Sequence, residues 1–141
     1  MGDIKAFLLP PVMEETKEII VTKRAKGPDG KPVPFVIRAI DQETNNRLIR
    51  QAVKKRKENG VIIRDLDDEK YNKLLVQAAV IEPDLKNAEL CAHYKTIDPL
   101  DVPVRMLSAG EFQSLCKAIR ELSGFVGNDL ELEEAEEELK N

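Results

Sequence analysis

One segment of the sequence specifies a helix from its first residue to its last. Ser108 and Glu111 have the S-x-x-E spacing of a capping box, in which each side chain accepts a hydrogen bond from a backbone N–H at the helix start. Gly124 lies where helices commonly end in a left-handed residue. The apolar residues between them fall on one stripe at helical spacing: Phe112, Leu115, Cys116, Ile119 and Leu122. The chain must therefore bury this stripe, and the helix carries no catalytic pattern.

Residues 19–22 and 35–40 are rich in β-branched side chains and predict two strands. The Asp29-Gly30 pair between them favours a tight turn, because both central residues of such a turn tolerate positive φ. We therefore predict a hairpin. Because two strands alone are marginally stable in water, helices must cover one of its faces.

The following residues are mainly helical in pattern. Asp41 is a good N-cap for a helix that runs to about Asn59 and is ended by Gly60. Residues 61–63 predict a third strand or an extended linker. Asp67 begins another helix, which must end before Pro83. We expect a short helix over residues 87–94 and a turn-rich connector over residues 98–103.

These elements predict an α+β fold, in which an N-terminal β-hairpin, alone or within a small antiparallel sheet, packs against a helical C-terminal half. The length of 141 residues suits one domain. We expect an N-terminal arm over residues 1–16, one α+β domain over 17–127, and an acidic tail over 128–141 that is flexible or a short helix. The tail holds seven acids against one base, Lys140, whereas the rest of the chain holds 21 bases and 19 acids and is nearly neutral. Its acids are Asp129, Glu131, Glu133, Glu134, Glu136, Glu137 and Glu138.

No apolar run approaches the roughly 18 residues that a membrane span needs. The N-terminus also lacks a secretory pattern, since residues 6–9 are too short a run and Pro10-Pro11 ends it. The two cysteines, Cys91 and Cys116, form no disulfide framework, so reduced thiols are the default. The cytoplasm is the expected compartment.

The sequence offers little for catalysis or metal binding. Cys91 and His93 supply at most two soft ligands, whereas a structural zinc site needs four. A thiol nucleophile with His93 as its base is formally available, but Cys116 lies on an apolar helix face, where a thiol behaves as a small hydrophobe. The acids around Asp67 lack the spacing of a calcium loop and suit a helix start instead. We predict no enzyme activity, no metal and no cofactor.

A run of basic residues gives the alternative function. On the expected helix, Arg47, Arg50, Lys54 and Lys57 form one positive stripe, which would suit contacts with phosphates in a small nucleic-acid-binding regulator. The same stripe lies opposite the apolar face, where solvated charges are expected, and aromatic residues for base stacking are lacking. The solvated-face interpretation is therefore favoured over nucleic-acid binding.

Three segments together resemble the XkdN-like tail assembly chaperones of PBSX-type prophages and contractile-tailed phages. The resemblance rests on residues 6–8 in the arm, on residues 21–24 and 29–40 around the predicted hairpin, and on residues 106–112 and 119–125 at the two ends of the capped helix. These segments occur in the family's order and span nearly the whole chain.

The resemblance implies a non-enzymatic chaperone that binds the tape measure protein, keeps it soluble, helps to recruit tail tube subunits and is absent from the finished tail. It also implies a homo-oligomer in the cytoplasm of the bacterial host, with no membrane partner. The candidate contacts are the apolar residues of the arm and the leucines on one side of the tail: Phe7, Leu8, Leu9, Leu132 and Leu139. For the tail, a purely solubilising role is the alternative.

Overall fold

The computed structural model describes residues 3–125 and 128–140, with side chains in the second range described from Leu132 onward. The strands are β1 (Thr16–Ile19), β2 (Phe35–Arg38), β3 (Val53–Glu58), β4 (Val61–Leu66) and β5 (Val80–Glu82). The helices are α1 (Gln42–Ala52), α2 (Asp68–Ala79), α3 (Ala88–His93), α4 (Val102–Met106), α5 (Ala109–Leu122) and α6 (Asn128–Lys140). Short 3-10 turns cover Ile4–Phe7, Val12–Glu14 and Pro99–Asp101. The predicted α+β class is confirmed.

The predicted hairpin is present and belongs to a three-stranded antiparallel sheet. The strand order is β1-β2-β5, with Ile19 opposite Phe35 and Thr16 opposite Arg38. The first strand ends at Ile19, so residues 20–22 belong to the connecting loop rather than to the strand. The chain turns away from the sheet there, because the hydroxyl of Thr22 accepts the backbone N–H of Arg24 at 3.2 Å.

The Asp-Gly turn inside this loop uses positive φ at one residue only. Gly30 has φ +78°, whereas Asp29 has negative φ. The N–H of Gly30 donates to the carbonyl of Gly27 at 3.0 Å, so Pro28 and Asp29 are the central residues of the turn and Gly30 is its last.

The helix predicted to run from Asp41 to about Asn59 is wrong in its second half. Asp41 caps α1 as expected, by accepting the N–H of Thr44 at 2.8 Å, but α1 ends at Ala52. Residues 53–58 are strand β3, which pairs with β4 across a two-residue turn. Asn59 and Gly60 have φ +51° and +80°, as such a turn requires, so Gly60 ends no helix. Because residues 54–58 are all charged, a longer α1 would have had no apolar face to bury.

The helical half follows the prediction at its caps and departs from it between helices. Asp67 caps α2 through the N–H of Lys70, and Asn87 caps α3 through the N–H of Glu89. Strand β5 was not predicted. The expected connector over residues 98–103 instead contains a 3-10 turn and the start of α4, where Pro103 is tolerated in the first turn.

Helix α5 has both predicted ends. The N–H of Ser108 donates to Glu111 Oε1 at 2.9 Å, and the N–H of Glu111 donates to Ser108 Oγ at 3.2 Å. Gly124 has φ +88°, and its N–H together with that of Phe125 closes the helix C-terminus. Leu115, Cys116 and Ile119 are buried, whereas Phe112 and Leu122 are half-buried at the edge of the core. The core joins α5 to β2, α1 and α2 through Ile37, Leu48, Leu74, Leu75 and Val76.

Ser123 links the end of α5 to the end of β2. Its hydroxyl accepts the N–H of Ile40 at 2.9 Å and donates to the carbonyl of Ile119 at 2.7 Å. Since the site is partly buried, the amide of Ile40 has no easy replacement for this acceptor.

Replacing Ser123 by Ala should lower the free energy of unfolding by about 1–3 kcal/mol, because it leaves the Ile40 amide unsatisfied. Urea unfolding followed by circular dichroism measures this loss. Ser123→Thr keeps a hydroxyl and is the matched control, which should lose clearly less stability. An equal loss in the two variants would contradict the hydrogen-bond explanation.

Candidate functional site

An apolar groove of about 520 Å³ lies on the surface of the described residues. One wall is the loop between β1 and β2, and the other comes from α3, α4 and the residues after β5. The groove is lined by Thr22, Arg24, Ala25, Val33, Pro34, Phe35, Glu82, Pro83, Leu90, Tyr94 and Met106. Most of these side chains are aliphatic or aromatic, which suits a partner's apolar side chains.

Arg24 attaches the loop wall of the groove to the helical half. Its Nη2 atom donates to the carbonyl oxygen of Met106 at 2.9 Å and to Oε1 of Glu111 at 2.7 Å. The Arg24 side chain is largely exposed, so the ion pair alone contributes little stability. The two hydrogen bonds of Arg24 instead hold the loop beside the start of α5.

Glu111 therefore has two functions in the structure, as a cap of α5 and as the acceptor for Arg24. The backbone N–H of Ser108, the hydroxyl of Thr22 and the guanidinium of Arg24 all favour the charged carboxylate. Together they lower the pKa of Glu111 from its ordinary 4.5 to about 2. The carboxylate thus stays charged throughout the physiological range.

Of the three residues considered for a thiol mechanism, Cys91 is half-buried and Cys116 is buried, and both thiols are free. Cys116 is buried in the core, and burial raises the pKa of its thiol, which disfavours the reactive thiolate. The His93 ring packs edge-on against Tyr94, with ring centroids 4.7 Å apart. Among the described residues, no group of three or more His, Cys, Asp and Glu side chains is arranged to hold a metal ion. No helix within residues 3–125 or 128–140 is long and apolar enough to cross a membrane.

The apolar residues of the arm lie on the surface. Phe7, Leu8 and Leu9 are 69–76% exposed. Three consecutive exposed apolar residues form a contiguous patch of the kind that marks an interaction site. The arm is anchored after them, where Met13 packs against the core and the carbonyl of Glu15 accepts the N–H of Ala39 at 2.9 Å. The segment before Met13 is thus free to contact a partner.

The basic helical stripe proposed for nucleic-acid contacts does not exist. Arg47 and Arg50 lie on α1, but Lys54 and Lys57 lie on opposite faces of strand β3. Lys54 also forms an ion pair with Asp67 at 3.2 Å. The nucleic-acid hypothesis therefore loses its geometric basis.

The tail is helical, as α6, and the leucines predicted to lie on one side of it are both exposed. Leu132 and Leu139 contact no part of the core, so they remain candidates for a partner contact.

Sequence reasoning missed the groove. Its lining comes from residues 22–35, 82–94 and 106, which are distant in sequence and meet only through the sheet and Arg24. One sequence feature pointed to part of the groove: Val33, Pro34 and Phe35 form an apolar run within the predicted loop.

The comparisons with known proteins agree on one family. The model of the phage XkdN-like tail assembly chaperone family matches residues 4–140. The Phage-like element PBSX protein XkdN of Bacillus subtilis (strain 168) is 32% identical over 141 residues, which cover 96% of this chain and 93% of that protein. The protein YqbN of the same strain is 30% identical, over 99% of this chain and 93% of its own length.

A solved structure also shares the fold. The crystal structure of the protein YqbN superposes with a TM-score of 0.66 at 26% sequence identity, covering 85% of this chain and 95% of that one. The similarity to known proteins thus covers nearly the full length in both sequence and structure.

The pKa of Glu111 generates a prediction about stability at low pH. A carboxyl whose pKa is lower in the folded state stabilises the fold above its unfolded pKa and loses that contribution as the pH falls through its folded pKa. The contribution of Glu111 should therefore be present above about pH 4.5 and disappear towards pH 2.

Glu111→Gln keeps a side chain that suits the capping box but removes the charge. Urea unfolding at a series of pH values should show a shallower loss of stability between pH 4.5 and 2 than in the unmodified chain. Arg24→Gln removes the charge and the guanidinium hydrogen bond of Arg24 but leaves the Ser108 N–H and the Thr22 hydroxyl in place, so it should give an intermediate slope. Identical slopes in all three proteins would contradict the assignment.

Proposed function

This chain belongs to the phage XkdN-like tail assembly chaperone family, and we propose that its client is the tape measure protein of the tail. In this proposal the chain binds the tape measure protein, keeps it soluble, helps to recruit tail tube subunits, and leaves before the tail is complete. It works in the cytoplasm of the bacterial host. The role is one of binding, without a chemical step.

The observation that carries the proposal is the open apolar groove beside Arg24. A long helical client presents rows of apolar side chains, and helix-in-groove recognition inserts such a row into an apolar cleft. The groove offers Val33, Leu90 and Tyr94 to such side chains, with Arg24 and Glu82 as polar groups at its edge. Apolar contacts of this type tolerate many sequences, which suits a client with many similar helices.

The exposed arm supplies a second contact. Phe7, Leu8 and Leu9 lie outside the core and precede the anchored residues around Met13, so they can reach a client without unfolding the domain. Leu132 and Leu139 of α6 are further candidate contacts on the same argument.

The experiment is co-expression with the tagged tape measure protein encoded in the same prophage. The unmodified chain should keep the tape measure protein in the soluble fraction and co-purify with it. Val33→Asp should reduce the co-purified amount at least about tenfold, because it places a charge in an apolar contact. Deletion of residues 1–9, which leaves Met13 in place, should reduce it further.

Ile97→Asp is the matched control, since Ile97 is fully exposed and lies outside the groove. It makes the same chemical change on the open surface and should leave co-purification unchanged. Two results would contradict the proposal: a tape measure protein that stays insoluble with the unmodified chain, or an equal loss with Val33→Asp and Ile97→Asp.

A further inference from the structure

The lining of the groove carries one charge that the chain itself does not compensate. Of the residues that line the groove, Arg24 and Glu82 are charged. Arg24 is compensated, because its guanidinium contacts the carboxylate of Glu111 at 2.7 Å. Glu82 is exposed and takes part in no ion pair within the described part of the chain. The groove therefore offers a client an apolar lining with one uncompensated carboxylate.

The pairing of β2 with β5 explains how Glu82 comes to line the groove. Ile37 lies opposite Val80, whereas Val36 lies opposite Glu82. One step along β2 thus corresponds to two steps along β5, which is the pattern of a β-bulge. A bulge bends its strand and redirects the side chains beside it. Glu82 is the last residue of β5, so strand pairing fixes the backbone from which its carboxylate extends.

A carboxylate beside an apolar contact restricts what can bind there. A helix that covers the groove removes water from around Glu82, and a charge that loses water without gaining a partner costs free energy. A client with Lys or Arg beside its apolar contact supplies that partner, whereas Asp or Glu at the same place adds repulsion. The carboxylate therefore favours a basic client helix and disfavours an acidic one.

The net charge of the chain acts in the same direction. The chain carries a formal charge of −4, and long-range attraction raises the association rate of a partner of opposite charge. This attraction depends little on the position of any one charge, because physiological salt screens exposed charges over about 8 Å. Glu82 lies within the contact itself, so its contribution is specific to the groove.

We propose that Glu82 selects a client helix that carries Lys or Arg three or four residues from the apolar side chain entering the groove. Residues at that spacing are neighbours on a helix surface, so one face presents both the apolar side chain and the cation. Lys and Arg side chains can extend along apolar surface while their charged ends reach a carboxylate. The inference rests on the proposed function for the identity of the client, but the preference for a basic helix is measured separately.

Two synthetic helical peptides of about 18 residues, or about five turns, test the preference on the purified full-length chain. They share one leucine stripe and differ only three and four residues from the central leucine, where one has Lys and the other has Glu. Fluorescence anisotropy at about 0.15 M salt should show at least about tenfold tighter binding of the Lys peptide. The difference should shrink at about 1 M salt, because the screening length falls to about 3 Å.

Two substitutions of Glu82 assign the preference to this residue. Glu82→Lys should reverse the preference, so that the Glu peptide binds more tightly than the Lys peptide. Glu82→Gln has nearly the same shape and should reduce the preference to about threefold or less, because it removes the attraction without adding repulsion. If Glu82→Lys fails to fold, as judged by circular dichroism, the result for Glu82→Gln still decides the question.

Glu43→Lys is the matched control. Glu43 is exposed, lies outside the groove and forms no ion pair among the described residues, so the variant makes the same change of net charge elsewhere on the surface. It should change the preference by less than about twofold. Three results would overturn the inference: no binding of either peptide to the unmodified chain, equal affinities for the two, or the same effect of Glu43→Lys and Glu82→Lys.

Co-expression with the tape measure protein separates this inference from the proposed function. Equal retention of the tape measure protein by the unmodified chain and by Glu82→Lys would contradict selection by Glu82 and leave the client in place. Failure of the unmodified chain to retain the tape measure protein, with the peptide preference still set by Glu82, would contradict the client and support the selectivity of the groove.

Discussion

The carboxylate of Glu111 joins the two halves of the fold at the groove. It caps α5 through the N–H of Ser108 and accepts a hydrogen bond from Arg24, which also donates to the carbonyl of Met106. The helix start is thereby fixed against the loop between β1 and β2. Without this connection the loop would be shaped by its internal hydrogen bonds and by the packing of Val21 against the core. The concave surface we assign to the client depends on that fixed loop.

Short sequence patterns correctly predicted the features that depend on contacts between residues close together in the sequence. The capping residues Asp41, Asp67 and Ser108 each act as expected, because a cap is a contact between residues two or three positions apart. The error at residues 53–59 arose where two local signals competed: charged residues with good helix propensity, and an Asn-Gly pair that favours a two-residue turn. The turn prevails because cross-strand pairing with residues 61–66 satisfies the backbone, whereas a longer helix would have buried nothing. The groove was beyond such reasoning, since its walls meet only in the tertiary structure.

The surfaces of the molecule divide by chemistry. The groove and the arm are apolar and suit the helical client that we propose, whereas α6 is strongly acidic. The sequence similarity to XkdN extends over nearly the whole chain, including residues up to 140 in the family match.

The central claim is that the chain acts by presenting a defined surface to another polypeptide. Hydrogen–deuterium exchange of the chain, alone and in complex with the tape measure protein, tests this most directly. The account predicts slower exchange in residues 3–9, in residues 20–35 and in residues 88–94, with the amides of α5 unchanged because they are already protected in the core. A complex that leaves those segments unprotected, or that protects only the far surface of the molecule, would contradict it.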